Sequence, residues 1–268
     1  MATQAIDGFQ RASQAAPAPV PTPAINAGLA IKRDWRTAFV ALRKLMANGD
    51  DTLQVFRIMR ALNADTSHKN YRKLLSSAEG GRIAYHRVDL AQRFSDRAWL
   101  DSLPEGSVGA HYRAFLDRTG FSAKGLADIS TADNTGWQDV EHPHVWFGQR
   151  ERDIHDIWHT LTGYTAEEHL GELCLVAFSY AQTKGLGWGA IAAMGSLKSL
   201  RQTRGTKVVR AAIEGYRHGK AAKWLHNEDY EKLLAEPLDA ARKRLNILPA
   251  VKYREAQAHL ERMGVAAI

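Results

Sequence analysis

Apolar residues fall into a helical rhythm from Lys32 onward. Trp35, Phe39, Leu42 and Met46 recur at spacings of three and four, which places them on one face of an amphipathic helix. Gly49 predicts its end. Asp51 stands three residues before Gln54, a capping-box pattern that predicts the next helix start. Val55, Met59 and Leu62 form the following stripe. Further helices are expected from near Asn70 and Arg87. Pro104 and Gly106 mark a break, after which Ser107 is a plausible N-cap for a helix carrying Val108, Tyr112, Phe115 and Leu116. A second break runs through Asp133, Asn134 and Gly136. From Val145 helices resume and continue, with interruptions, to about Met263. No turn dipeptide sits between alternating apolar runs, and no long-period repeat is visible. The fold class expected is all-α, a single domain of packed helices.

Composition sharpens the boundaries. Residues 1–28 are rich in Ala, Pro, Gln and Thr, with proline at positions 17, 19, 21 and 23. Proline removes backbone donors and fixes φ, so this segment is expected to be a disordered tail ahead of a helical domain over 29–268. The whole chain has 268 residues, 45% apolar and 24% charged, which suits a globular protein with a sizeable core. Its one cysteine, Cys174, lies in an apolar run and reads as a buried, inert thiol. The longest apolar stretch, Leu173 to Ala181, is far short of the about 20 residues a membrane-spanning helix needs. No signal peptide is recognisable at the start. The net charge of +7 favours an anionic partner. Neither zinc-finger spacing nor an RNA-binding sheet motif is present, so nucleic acid is not expected and an anionic membrane surface is.

The segment richest in chemistry runs from Arg150 to Glu172. His155 and His159 are four apart, so on a helix their Cβ atoms lie about 5–6 Å from each other on one face. Two imidazoles at that spacing can share a metal ion. Asp156 can reach the same ion from the edge of the face. Gly163 is a natural C′ residue, and Thr165-Ala-Glu-Glu168 is a capping box, predicting a second helix joined by a short turn. In such an antiparallel hairpin His155 and Glu172, each about nine residues from the turn, reach the same height. Gly171, which costs about 1 kcal/mol in a helix interior relative to alanine, is then explained by close approach of the two helices. The predicted ligand set is His155, Asp156, His159 and Glu172. Those donors suit zinc in the first place, with iron, cobalt or manganese as alternatives. The usual zinc-protease motif is excluded because Glu does not follow the first His. An HD-type phosphohydrolase remains an alternative, with Asp229 and an upstream histidine (His111, His142 or His144) as further ligands, but it leaves His159 and Glu172 unexplained.

These residues resemble the Coq4 family of ubiquinone-biosynthesis proteins. Its signature is similar to His155-Asp156-Ile-Trp-His159 followed by Gly171-Glu172. Arg150-x-Arg152, Asp51-Thr-Leu-Gln-Val-Phe56, Leu103-Pro-Glu-Gly-Ser-Val-Gly109, Glu214-Gly-Tyr-Arg-His-Gly219, Asp229-Tyr-Glu231 and Pro237-Leu238 resemble it too. The gap from His159 to Glu172 is one residue longer than in the eukaryotic pattern, and Val176 stands where that pattern has Lys. The resemblance implies a protein peripheral to the inner, cytoplasmic face of a membrane. It also implies metal-dependent oxidative decarboxylation (C1 hydroxylation) of a polyprenyl-hydroxybenzoate precursor, with His155, Asp156, His159 and Glu172 catalytic. The alternative is a non-catalytic scaffold that binds polyprenyl lipid. The partners implied are a polyprenyl-tailed ring or isoprenoid lipid and other ubiquinone-biosynthesis enzymes, and a homodimer is compatible with the resemblance.

Several features admit two readings. Arg150 and Arg152 can hold a substrate carboxylate through paired hydrogen bonds, or form structural salt bridges. The small apolar run from Leu186 to Gly195 can line an isoprenoid channel or make a tight helix crossing, and Trp188 within it can touch substrate or lipid or pack in the core. Lys198, Arg201, Arg204, Lys207 and Arg210, with Lys220, Lys223, Arg242, Lys243 and Arg244, can meet anionic lipid or form a solvated face. His142, His144 and His169 read as surface or capping residues.

Overall fold

The computed structural model describes residues 32–131 and 143–264, which belong to one compact unit. The Ala/Pro-rich tail and the predicted break at 133–136 lie outside the described residues. The first half carries helices α1 (Trp35–Ala47), α2 (Thr52–Asn63), α3 (Thr66–Leu75), α4 (Ala78–His86), α5 (Leu90–Ser95), α6 (Arg97–Asp101), α7 (Val108–Thr119) and α8 (Ala123–Thr131). The second carries α9 (Pro143–Asp153), α10 (His155–Thr162), α11 (His169–Thr183), α12 (Leu186–Thr203), α13 (Lys207–Ala221), α14 (Tyr230–Ala235), α15 (Leu238–Leu245) and α16 (Val251–Arg262). The described residues contain no β-strand, only an isolated antiparallel bridge between Ser107 and Pro237. The all-α expectation holds.

Helix α11 is the centre of the fold. Leu170, Leu173, Cys174, Leu175, Val176, Ala177 and Phe178 are all buried, so it is apolar around its whole circumference, as a helix enclosed by others must be. It is flanked by α10, α12, α13 and α16. On α13 the small residues Gly215 and Gly219 allow the closest approach. A Cβ on Gly215 would stand 2.5 Å from the Cys174 carbonyl oxygen, and one on Gly219 2.5 Å from that of Phe178. Cys174 is sealed in this contact, and burial pushes its thiol well above its ordinary pKa, matching the inert thiol expected.

Local signals were obeyed where their partners are also local. Ser107 caps α7, accepting a hydrogen bond from the Ala110 amide at 3.1 Å. The capping box predicted at Asp51 does not close. Asp51 precedes α2 but caps no amide through its side chain, and Gln54 instead donates to the Asp51 carboxylate at 3.2 Å.

The predicted face of α1 is only half inward: Leu42 and Met46 are partly buried against the cluster shared with α2 and α12, and the first half of the stripe is turned outward. Trp35 and Phe39 are 62% and 64% exposed, while Ala38, Ala41 and Leu45 are buried against α2 and α12. Both sets recur at helical spacing, so periodicity alone could not choose between them. The small side chains pack inward because they let α1 lie close to α2.

Candidate metal centre

Helix α10 follows α9 after a single residue, Ile154. His155 and His159 lie one turn apart on its inner face, ring centroids 5.1 Å from each other. Gly163 ends the helix in the left-handed region at φ 76°, its amide donating to the His159 carbonyl at 2.8 Å. Arg242 from α15 covers the same end, donating to the carbonyls of Leu161 at 2.9 Å and Thr160 at 3.3 Å.

The next helix begins later than its capping box predicts. Glu168, not Thr165, is the N-cap of α11. The Thr165 hydroxyl donates to the Glu168 carboxylate at 2.8 Å, and its amide donates to the Tyr253 hydroxyl at 3.2 Å, so a distant residue satisfies the group that would otherwise start a helix. The turn folds back on α11: a Cβ on Gly171 would overlap the Thr165 carbonyl oxygen. The glycine does permit close approach, as expected, but to the connecting turn rather than to the facing helix. The later start leaves Glu172 in the first turn of α11, where the helix dipole favours a carboxylate.

Donor atoms of His155, His159 and Glu172 all lie within 4.8 Å of one another. A four-coordinate zinc ion with bonds of about 2.0–2.2 Å holds its donors roughly 3.3–3.6 Å apart, so small side-chain rotations suffice to close this set around one ion. Glu172 Oε1 is 3.1 Å from His159 Nε2, yet that nitrogen is buried with no aligned hydrogen-bond partner. The other ring nitrogen, Nδ1, is 2.9 Å from the Tyr164 carbonyl oxygen. A carbonyl only accepts, so Nδ1 carries the proton and Nε2 of the neutral ring presents its lone pair. This orphaned, inward-facing lone pair fits a metal ligand.

Burial pushes the His159 pKa down, but the Glu172 carboxylate, with Asp156 behind it, more than reverses this and the net shift is upward. For Glu172 burial acts upward, and His159 first, then His155 and His169, bring the net shift below the ordinary carboxylate value. Aromatic rings back both imidazoles. Phe115 of α7 stacks on His159 at 5.8 Å, and Trp188 of α12 lies parallel to His155 at 5.6 Å.

The remaining sequence candidates divide. Asp156 stands beside the three-donor set rather than in it: its carboxylate is buried, 3.6 Å from His155 Nδ1. Trp188 is at the site, half-buried. Arg150 is not positioned to receive a substrate. It is buried, donates to the carbonyls of Glu228 at 2.6 Å and His226 at 3.4 Å, and lies over the Tyr230 ring. Arg152 pairs with buried Asp153 at 2.6 Å. Arg150 thereby ties the helix leading into His155 to the 226–228 segment. The α12 glycines are packing positions: Cβ atoms on Gly187, Gly189 and Gly195 would meet Met59, Tyr180 and Leu173. Arg244 pairs with Glu228 and Glu236. His169 pairs with Asp50. Asp229, required by the phosphohydrolase alternative, caps α14 and pairs with Arg82, outside the donor cluster. Phe115 and the Tyr164 carbonyl were not singled out from sequence; Phe115 read only as a core stripe.

The fold and site together define an all-helical protein with a His-His-Glu donor cluster at a helix junction. The chain belongs to the Coq4 family: residues 39–250 match the family described as coenzyme Q (ubiquinone) biosynthesis protein Coq4. It is 34% identical over 157 residues to a ubiquinone biosynthesis protein COQ4 homolog, mitochondrial, of Nematostella vectensis, covering 56% of this chain and 70% of that one. It is 33% identical over 184 residues to the mitochondrial COQ4 homolog of Mus musculus, covering 67% of this chain and 65% of that one. It spans 58% of the length of the mitochondrial COQ4 of Pyricularia oryzae, at 31% identity over 185 residues and 69% of this chain. A crystal structure from Nostoc punctiforme, of a candidate ubiquinone biosynthesis protein, shares the fold. Its TM-score is 0.56 at 20% identity, covering 81% of this chain and 99% of that one. No described helix is long and apolar enough to cross a membrane.

Proposed function

We propose that the chain catalyses oxidative decarboxylation of a polyprenyl-hydroxybenzoate in ubiquinone biosynthesis. The ring loses its carboxylate as carbon dioxide and gains a hydroxyl at the vacated carbon. Dioxygen supplies that oxygen atom; its second atom leaves as water with two protons and two electrons from an external reductant, and a third proton from solvent completes the new hydroxyl. The convergence of His155, His159 and Glu172 carries this reading. These residues, with Asp156 beside them, would hold a divalent metal, zinc in the first place and iron, cobalt or manganese as alternatives, which when bound supplies a Lewis acid and a template for the ring carboxylate. The Tyr164 carbonyl keeps the His159 proton on Nδ1. Phe115 and Trp188 hold the two imidazoles in orientation and keep water from their faces. His159 is 1% exposed but Glu172 is 38% exposed, so the cluster is open on the carboxylate side, as a catalytic rather than a structural centre requires.

The second reading, a scaffold that binds polyprenyl lipid and other enzymes of the pathway, draws support from exposed apolar residues set among cations. Leu197 and Leu200 on α12 alternate with Lys198 and Arg201, and α1 presents Trp35 and Phe39. These exposed residues also support action at the inner face of a membrane.

The test is to purify the protein, identify its metal, and supply a short-chain prenyl hydroxybenzoate with air and a reductant. Carbon dioxide release with ring hydroxylation is expected. The His155→Ala variant is expected to lose metal and turnover while keeping its helical circular dichroism. Lipid binding without turnover by the metal-loaded wild type would decide for the scaffold.

A further inference from the structure

The peptide unit between Tyr164 and Thr165 is held from both sides. Its carbonyl accepts from His159 Nδ1 at 2.9 Å, and its N–H donates to the Tyr253 hydroxyl of α16 at 3.2 Å. The Tyr253 hydroxyl in turn donates to the Glu168 carboxylate. The three links run in one direction, from an imidazole N–H through a peptide and a phenol to an anion. Hydrogen bonds in such a chain polarise one another: a phenol that donates to a carboxylate accepts better, and so does the carbonyl of a peptide whose N–H is engaged. The anion at the end is fixed, because the same Glu168 oxygen accepts from the Thr165 hydroxyl and from the Gln257 side-chain amide, each at 2.8 Å. The phenol is fixed as well. Tyr253 is buried, its ring meets that of Tyr164 edge-on at 5.2 Å, and its amide and that of Lys252 donate to Glu214 of α13 at 3.2 Å and 2.8 Å. Burial, then the bond to Glu168, push the phenol above its ordinary pKa, so it keeps the proton it donates. Tyr253 stands outside residues 39–250 that carry the family match.

We propose that Tyr253 is a positioning residue of the metal centre: its hydroxyl, anchored by Glu168, fixes the 164–165 peptide and so keeps the His159 proton on Nδ1 and the Nε2 lone pair aimed at the ion. The inference rests on the metal-centre reading above and deepens it. Metal-bound imidazoles donate their other ring N–H to a carboxylate or a carbonyl, which sets the tautomer and raises the basicity of the ligating nitrogen. Here the carboxylate acts at two removes, through a phenol and a peptide. A tyrosine that only packed α16 against the turn would matter to stability alone, and the His159 ring would not register the loss of its hydroxyl.

The experiment compares wild type, Tyr253→Phe, Glu168→Gln and His155→Ala. Zinc binding is read by chelator competition, and the His159 ring is read by nitrogen-edited proton NMR of the metal-free protein at alkaline pH. Tyr253→Phe keeps the ring and removes the hydroxyl. It is expected to weaken zinc about tenfold, the low end of the loss when a partner of a metal-bound imidazole is removed. The His159 Nδ1 proton is expected to move upfield, the mark of a weaker hydrogen bond, or to be lost to solvent exchange. Glu168→Gln, whose amide oxygen still accepts from the phenol but carries no charge, is expected to move both readouts the same way and by less. It carries the test alone if Tyr253→Phe does not fold. An unmoved His159 signal would overturn the positioning role even where zinc weakens, and so would unchanged zinc affinity. His155→Ala separates the two levels. If it loses zinc while Tyr253→Phe binds as wild type does, only the role of Tyr253 fails. If wild type binds no zinc, or His155→Ala binds as tightly as wild type, the metal centre fails and the Tyr253 role with it.

Discussion

A histidine ring has two nitrogens, and in His159 the Tyr164 carbonyl commits one of them, leaving the other aimed at the cluster. The Glu172 carboxylate opposite raises the pKa of that ring, although burial acts against it. Protonation of Nε2 removes the lone pair a metal needs, so proton competition begins above the ordinary imidazole value of about 6.5. Zinc affinity is therefore expected to fall on acidification from neutral pH. Glu172→Gln is expected to do two opposite things: weaken zinc at alkaline pH and move the onset of acid competition to lower pH. Competition titrations across this range check both, and an onset unmoved by Glu172→Gln would contradict the pairing. At this scale His155, His159 and Glu172 were legible because a four-residue spacing and a helix junction are local facts. Phe115 and the Tyr164 carbonyl were not. The Phe115 ring lies some 40 residues upstream, where helical spacing marks it only as core, and a backbone carbonyl leaves no signature in residue type.

Helix α10 has eight residues, shorter than the about 12–15 at which an isolated helix becomes even marginally stable. It persists because its last turn and its middle are held: Arg242 and Gly163 engage the last turn, and the Trp158 indole donates to the Tyr230 hydroxyl at 2.7 Å. Elements whose partners are near in sequence were legible, as the Ser107 cap and the Gly163 stop demonstrate. The start of α11 was not, because Tyr253 engages Thr165 from almost ninety residues away. The buried face of α1 was not either, since alanine and aromatic stripes have the same period. Two substitutions separate element stability from the site. Ser107→Ala is expected to cost about 1 kcal/mol through the lost cap, lowering Tm without changing zinc affinity. Gly171→Ala, whose methyl would overlap the Thr165 carbonyl, is expected to cost about 1–3 kcal/mol through overpacking and to weaken zinc by displacing Glu172. Equal zinc affinity in both variants would contradict the turn-back account of Gly171.

Over the whole molecule the net charge is +7, and some of its cations are already engaged: Arg244 pairs with Glu228 and Glu236, and Arg242 holds the last turn of α10. Arg201, Arg204, Lys207 and Arg210 remain at the surface near exposed Leu197 and Leu200. Basic residues beside an anionic surface add about 1 kcal/mol each. Flotation is accordingly expected to recover the protein with anionic vesicles and much less with neutral ones, and replacing Trp35 and Phe39 by alanine is expected to reduce it with little change in Tm. Equal recovery with both vesicle types would contradict this surface. The helical class and the family were readable from the chain; which exposed face carries the aromatics was not, because that depends on how α1 settles on α2 and α12. The central claim is narrower than any of these: three side chains from two helices share one ion. An anomalous difference map from crystals grown with zinc tests it most directly. The expected result is one peak bonded by His155, His159 Nε2 and Glu172 at about 2.0–2.2 Å. A fully zinc-equilibrated crystal with no peak among those three side chains would contradict it.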